Sequence, residues 1–90
     1  MLAERKRRMI RTVIIDDEPL IREGLSAIID WSGLGYVIVG TADNGINGYK
    51  AIVDNKAELA IVDIMMPDMT GLELVELLKR DNINCKIIFL

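Results

Sequence analysis

The chain has 90 residues, of which 51% are hydrophobic and 28% charged, a composition that indicates one folded domain and argues against a disordered segment. Its net charge at pH 7 is −3, and no apolar run approaches the roughly 18 residues of a membrane-spanning helix. Cys85 is the single cysteine, so no disulfide can form within the chain. We therefore expect a reducing, cytoplasmic location and no membrane partner.

The charge is unevenly distributed along the chain. Residues 1–11 carry five basic side chains and one acidic side chain, whereas residues 12–90 carry six basic and thirteen acidic ones. We interpret residues 1–11 as a basic N-terminal tail and residues 12–90 as the folded domain. The acidic domain is a poor candidate for binding nucleic acid by its own surface, because DNA affinity comes largely from basic side chains that neutralise phosphates.

The first predicted strand covers residues 12–15, an apolar run that ends at two aspartates. A helix follows from Pro19, because proline is tolerated at the first helical position and apolar residues then recur at helical spacing. The glycine-containing segment 31–35 ends this helix. Residues 36–39 form the second predicted strand.

The second predicted helix runs from about residue 45 to residue 55. It is weaker than the first, because Asn47 and Gly48 are poor helix formers. Residues 59–62 form a third apolar strand, and this strand again ends at an aspartate.

The remaining sequence predicts a loop at 65–71, a third amphipathic helix at about 72–80 and a fourth strand at 86–90. The seven elements, written β1-α1-β2-α2-β3-α3-β4 in chain order, are typical of α/β proteins. Such proteins have a parallel sheet with helices on both faces and right-handed connections.

Aspartates follow two of the four predicted strands. Asp16 and Asp17 come directly after the first strand, and Asp63 comes directly after the third. Ligands of open α/β sheets bind beyond the carboxyl ends of the strands, where the strand order reverses. If the first and third strands are neighbours, the three carboxylates converge in one shallow cleft.

Three carboxylates in one cleft repel one another unless a cation lies among them. Mg²⁺ suits such a site, because it prefers oxygen ligands and combines one or two carboxylates with waters and phosphate oxygens. A carboxylate there can attack a phosphoryl group, as in aspartyl-phosphate chemistry, while the metal neutralises the phosphoryl oxygens. The alternative is that Asp16 and Asp17 only cap the first helix and that Asp63 only ends a strand.

Two segments resemble the signature segments of the receiver domain of two-component response regulators: VIIDDEP at 13–19 and IVDIMMPDMTG at 61–71. Two more resemble the subgroup whose receivers precede an AraC-type DNA-binding domain: LIREGL at 20–25 and ADNG at 42–45. The resemblance covers residues 12–90. It implies a flavodoxin-like, doubly wound parallel sheet, which is the receiver fold.

The resemblance also implies the roles of individual residues. Asp63 would be the catalytic phosphoacceptor, which receives a phosphoryl group from a sensor histidine kinase. Asp17 would bind Mg²⁺ directly, Asp16 would assist through a water, and Asp63 and the backbone carbonyl of Met65 would complete the site. The domain would be a signalling switch that assists its own phosphorylation, not a conventional enzyme. It would act on DNA only through an output domain outside this chain.

The sequence departs from the family by stopping in the fourth strand. A complete receiver has five strands and five helices, and it carries a Ser or Thr, an aromatic residue and a Lys that take part in switching. We therefore expect a truncated receiver whose residues 86–90 form an uncovered edge strand. An apolar edge favours pairing with another chain, so we expect self-association through this strand or through the family's switch face.

The residues leave a second function open, that of a non-phosphorylated, receiver-like module that acts by dimerisation. A magnesium-dependent hydrolase of the haloacid dehalogenase kind needs Asp-x-Asp-x-Thr, and residues 16–19 do not have that spacing. The absence of histidine excludes a Ser-His-Asp site, and the chain has no Walker-type phosphate loop.

Overall fold

A computed structural model describes residues 8–90, so residues 1–7 of the predicted basic tail lie outside the described part of the chain. The elements occur in the order that the sequence predicts: β1 (Ile10–Ile15), α1 (Pro19–Ile28), a 3-10 turn (Ser32–Leu34), β2 (Tyr36–Ala42), α2 (Gly45–Asn55), β3 (Leu59–Val62), α3 (Gly71–Arg80) and β4 (Lys86–Phe89). The first strand begins at residue 10, two residues earlier than predicted.

The four strands form one parallel sheet in the order β2-β1-β3-β4. The chain moves from β1 to one side to form β2, and then crosses to the other side to form β3 and β4. The strand order therefore reverses between β1 and β3, which makes this the point where open α/β sheets bind their ligands. The predicted doubly wound α/β fold is confirmed.

The core lies between the central strands and helices α2 and α3. It contains apolar side chains that are almost completely buried: Val13, Ile15, Ile52, Ala60, Val62, Leu74 and Leu78. Every residue of β3 is buried. This burial explains the continuous apolar sequence of β3, because a central parallel strand is covered on both faces.

The other side of the sheet is less covered among the described residues. No residue of α1 is buried, and the apolar side chains of Leu20 and Ile28 are exposed. The strand β4 pairs with β3 alone in the described chain, and Ile88 on it is half-exposed. Among residues 8–90, β4 is therefore at one edge of the sheet. None of the helices in residues 8–90 has the length and apolar character that crossing a bilayer requires.

Gly48 in α2 has a packing role that its low helix propensity hides. The residue is buried, and a Cβ atom at this position would lie 2.5 Å from Cδ1 of Ile15 on β1. That distance is too short for any side chain, and Ile15 is itself fully buried. The helix can lie this close to the sheet only because residue 48 is glycine.

We expect Gly48→Ala to lower the free energy of unfolding by about 1–3 kcal/mol, because it overpacks the contact with Ile15. The matched control is Gly24→Ala in α1, where a Cβ atom would meet nothing within 4 Å. The control should raise the free energy of unfolding by about 0.5–1 kcal/mol, since alanine is the better helix former. Urea denaturation measures both variants, and stabilisation by Gly48→Ala would contradict the close packing.

Candidate functional site

Three aspartate side chains converge beyond the carboxyl ends of β1 and β3. One carboxylate oxygen from each of Asp16, Asp17 and Asp63 lies within 4.8 Å of the other two. Asp16 is buried, with 2% of its surface exposed, whereas Asp17 is exposed and Asp63 is intermediate. The predicted convergence of these three carboxylates is confirmed, and the cluster is open to solvent on the side of Asp17.

Backbone hydrogen bonds hold the two strand ends in register. The N–H of Asp16 donates to the carbonyl of Ala42 at 3.0 Å, and the N–H of Asp63 donates to the carbonyl of Ile15 at 2.9 Å. The parallel pairing thus continues one residue past β1 and β3. Because Asp16 and Asp63 are each the first residue beyond a paired strand, the sheet itself determines how close they lie.

The turn between β1 and α1 is built around Asp16. Its Oδ1 accepts the N–H of Glu18 at 2.9 Å, and Nη1 of Arg22 donates to its backbone carbonyl at 2.8 Å. The alternative role, shaping the start of α1, is therefore met by one oxygen of Asp16. That role does not explain why Asp63, which follows β3, lies close to Asp16.

Asp63 begins the segment 63–71, which we call the β3–α3 loop. Its Oδ1 accepts the N–H of Met65 at 3.2 Å. Met65 pairs with Thr70 in an isolated antiparallel bridge, and the N–H of Gly71 donates to the carbonyl of Ile64 at 2.7 Å. Residue 65, whose backbone carbonyl is the predicted fourth ligand, is therefore held in a short closed loop next to Asp63.

Gly71 allows α3 to begin directly against the phosphoacceptor candidate. A Cβ atom at residue 71 would lie 2.7 Å from Cε1 of Phe89 and 3.1 Å from the carbonyl oxygen of Asp63. Both distances are shorter than an ordinary contact. A side chain at this position would push the first turn of α3 away from the end of β3.

Asp68 is a residue of the site region that the sequence pattern does not single out. Its Oδ1 accepts the N–H of Gly45 and its Oδ2 accepts the N–H of Ile46, both at 2.8 Å. The side chain of Asn44 accepts the next N–H, that of Asn47, also at 2.8 Å. These three N–H groups have no acceptor within the helix, so the β3–α3 loop supplies two acceptors to the start of α2.

The surroundings of Asp68 change its ionisation. Partial desolvation raises the pKa of this carboxyl, but hydrogen bonds from the backbone N–H groups of Gly45 and Ile46, with those of Asp68 and Met69, outweigh it. The pKa of Asp68 therefore lies below its usual value. A lowered pKa keeps the side chain ionised, and its hydrogen bonds are lost only as the pH falls through that lowered value.

The donor set of the cluster fits a hard divalent cation. All three side chains offer carboxylate oxygens, the ligands that Mg²⁺ prefers. A soft metal is not favoured, because the chain has no histidine and its one cysteine, Cys85, stands just before the amino end of β4. The pKa of the Cys85 thiol is raised by burial to about 11, which keeps it protonated at neutral pH.

Comparison with known proteins gives one consistent family. Residues 12–90 match the family described as response regulator receiver domain. The chain is 40% identical over 68 residues to an uncharacterized transcriptional regulatory protein, YesN, of Bacillus subtilis, covering 76% of this chain and 18% of that protein. It is 37% identical over 82 residues to the transcriptional regulatory protein HptR of Staphylococcus aureus, covering 91% of this chain and 32% of that protein.

Solved structures show the same fold. The REC domain of AraT, a response regulator from Geobacillus stearothermophilus, superposes with a TM-score of 0.81 at 32% identity and covers 90% of this chain and 64% of that one. A two-component transcriptional regulator AraC from Clostridium phytofermentans gives 0.78 at 36% identity, with 89% and 64% covered. The chain thus spans less than two thirds of these structures and less than a third of either curated relative.

Proposed function

The chain belongs to the family of response regulator receiver domains, and on that premise we propose that it is the phosphoacceptor module of a two-component signalling protein. A sensor histidine kinase would donate a phosphoryl group to Asp63. Asp16, Asp17, Asp63 and the backbone carbonyl of Met65 would hold Mg²⁺. The observation that carries this proposal is the approach of three carboxylate oxygens within 4.8 Å of one another at the switch point of the sheet.

Asp63 has the surroundings that a nucleophilic carboxylate needs. It is partly accessible, and one of its oxygens is oriented by the N–H of Met65, which leaves the second oxygen to attack. In the transfer, that oxygen forms a bond to phosphorus while the bond from phosphorus to the donor nitrogen breaks, and the imidazole nitrogen keeps the electron pair. Bound Mg²⁺ would neutralise the charge on the phosphoryl oxygens.

Asp16 and Asp17 would have unequal parts in holding the ion. Asp17 is exposed and would bind Mg²⁺ directly. Asp16 is buried, and its Oδ1 already accepts the N–H of Glu18, so it would act through a water and keep the turn before α1 in place. Asp16 would thus fix the geometry of the turn beside the site, and Asp17 would replace its hydrating water with the ion.

The domain would control a transcription-regulating output that lies outside these 90 residues. Support comes from relatives that are named as transcriptional regulatory proteins and from the 18% and 32% of their length that this chain matches. We propose a cytoplasmic location and contact with DNA only through that output. Self-association, through β4 or through the family's switch face, is also part of the proposal.

Phosphorylation by a small donor tests the proposal directly. The chain, and a version extended to the length of the receiver structures it matches, are incubated with acetyl phosphate and Mg²⁺. We expect intact mass spectrometry to show the addition of one phosphoryl group, lost on treatment with hydroxylamine and absent when EDTA removes the metal. Borohydride reduction and peptide mapping should then assign the acyl phosphate to Asp63.

The two lengths separate the possible outcomes. An extended form that stays unmodified would contradict the phosphoacceptor proposal. If it also dimerised, it would favour the receiver-like module that acts without phosphorylation. Labelling of the extended form alone would support the proposal and show that the chemistry needs elements beyond β4.

A further inference from the structure

The base of the β3–α3 loop is fastened to α3. Thr70 caps this helix by accepting the N–H of Glu73 at 3.1 Å, and Glu73 in turn accepts the N–H of Thr70 at 2.9 Å. The bridge between Met65 and Thr70 closes the loop above this cap. These contacts fix the base of the loop but not its tip. The orientation of the loop therefore depends on what its tip contacts.

The tip of the loop is attached to α2, which is more than twenty residues away in the sequence. The carboxylate of Asp68 bonds to two consecutive N–H groups of α2, those of Gly45 and Ile46. The side chain of Met69 packs so closely on Gly45 that a Cβ atom there would overlap it. An ionic acceptor and a packed side chain, from adjacent residues, therefore join the tip to one point on the helix.

We propose that Asp68 is a positioning residue, which clamps the β3–α3 loop to the start of α2 and thereby sets the placement of Asp63 and Met65 in the acidic site. The inference rests on the proposed function, since it assumes that the site binds Mg²⁺. It adds that α2, which supplies none of the three clustered carboxylates, is energetically coupled to the site.

Physical chemistry explains why a carboxylate is used at this position. Hydrogen bonds to an ionised acceptor are about twice as strong as neutral ones, and a negative charge is favoured at the positive end of a helix. Asp68 is five residues from Asp63 and three from Met65 in the same closed loop. A displacement at the tip must therefore be taken up by the segment that carries both groups.

The coupling is reciprocal. If the clamp favours the loop arrangement that binds the ion, then the bound ion must favour the clamped arrangement by the same free energy. Occupation of the acidic site should therefore protect the N–H groups of Gly45 and Ile46, although the site lies on another part of the chain. Because bound Mg²⁺ also stabilises the whole folded state, the protection at these two amides should exceed the slowing seen at amides elsewhere in the sheet and helices.

The test compares Asp68→Ala and Asp68→Asn with Asp54→Ala. Asp54 is an exposed aspartate in the last turn of α2, so Asp54→Ala also removes one carboxylate near this helix and leaves the helix start and the clamp intact. Mg²⁺ binding is measured by calorimetry, and circular dichroism checks that each variant is folded. Amide hydrogen exchange is measured with and without Mg²⁺.

We expect Asp68→Ala to raise the Mg²⁺ dissociation constant about tenfold, as for other supporting groups around metal sites. Asp68→Asn keeps one acceptor oxygen and should show a smaller increase, and Asp54→Ala should bind like the wild type. In the wild-type chain, Mg²⁺ should slow exchange at Gly45 and Ile46 more than it slows exchange at buried amides elsewhere. In the Asp68 variants saturated with Mg²⁺, this extra slowing at the two amides should be absent.

Several results would overturn the inference. Unchanged Mg²⁺ affinity in a folded Asp68→Ala variant would do so. So would a wild-type chain in which Mg²⁺ slows exchange at Gly45 and Ile46 no more than at amides elsewhere. The second measurement needs no variant, so it decides the question even if Asp68→Ala does not fold. A wild-type chain that binds no Mg²⁺ at all would contradict the proposed function itself and the coupling with it.

Discussion

Asp63→Asn should abolish phosphorylation of the chain by acetyl phosphate. The amide that replaces the carboxylate carries no negative charge and cannot form an acyl phosphate by direct attack. No other residue combines this position at the end of β3 with a carboxylate partly open to solvent and two further carboxylates within 4.8 Å among residues 8–90. Intact mass spectrometry after incubation with Mg²⁺ and acetyl phosphate measures the effect.

The matched control for this variant is Asp54→Asn. Asp54 is an exposed residue in the last turn of α2, so the control removes the same charge without touching the acidic cluster. It should be labelled like the wild type. The comparison is made in whichever length of the wild type is labelled, and equal labelling of Asp63→Asn there would show that the phosphoryl group is carried elsewhere.

A stability measurement on the same variant gives independent information about the cluster. Without metal, Asp63→Asn removes one of three mutually repelling charges, so we expect a higher melting temperature than that of the wild type. With Mg²⁺, the wild type should gain more stability than the variant, because ligands that bind only the folded state stabilise it. If the variant and the wild type respond equally to Mg²⁺, Asp63 is not part of the metal site.

The acidic cluster could be predicted from the sequence because parallel strands bring their carboxyl ends to one edge. Asp16 and Asp63 each follow an apolar run, and the pairing of β1 with β3 makes them neighbours. Only the adjacency of these two strands had to be assumed. Once it holds, backbone hydrogen bonds leave the two side chains little freedom to lie apart.

The strand boundaries were less predictable, because hydrogen bonding to a neighbouring strand can extend a strand through residues with low strand propensity or a charge. The second strand was expected to end at residue 39, yet β2 continues through Gly40 to Ala42. A shift in register after Thr12 pairs Val13 with Gly40 and lets β1 and β2 stay in contact to their ends. Likewise, Arg11 lies within β1, where its backbone exchanges hydrogen bonds with Glu58.

Asp68 and Gly48 could not be interpreted from sequence, since their partners are distant in the chain. Asp68 lies in a loop, where a polar residue is common. Its carboxylate can accept the N–H groups of α2 only because the fold places that helix beside the loop. Gly48 was interpreted as a weakness of α2, because helix propensity describes an isolated helix. The close approach of Ile15 shows that packing against the sheet requires glycine at residue 48, whatever its effect on helix propensity.

Leu74→Ala should lower the free energy of unfolding by about 3 kcal/mol, within the range of about 2–5 kcal/mol found for fully buried leucines. Leu74 has 0% of its surface exposed and belongs to the buried cluster that also contains Ile15, Ile52 and Val62. The loss is large for a short chain, because such domains have a total stability of only about 5–15 kcal/mol. Urea denaturation followed by circular dichroism measures it.

Leu72→Ala on the same helix is the matched control. It removes the same atoms and changes helix propensity by the same amount, but Leu72 is 61% exposed, so we expect a change below about 0.5 kcal/mol. Similar losses in the two variants would show that α3 does not bury the face that contains Leu74. That result would contradict the packing of α3 against the core side chains Ile15, Ile52 and Val62.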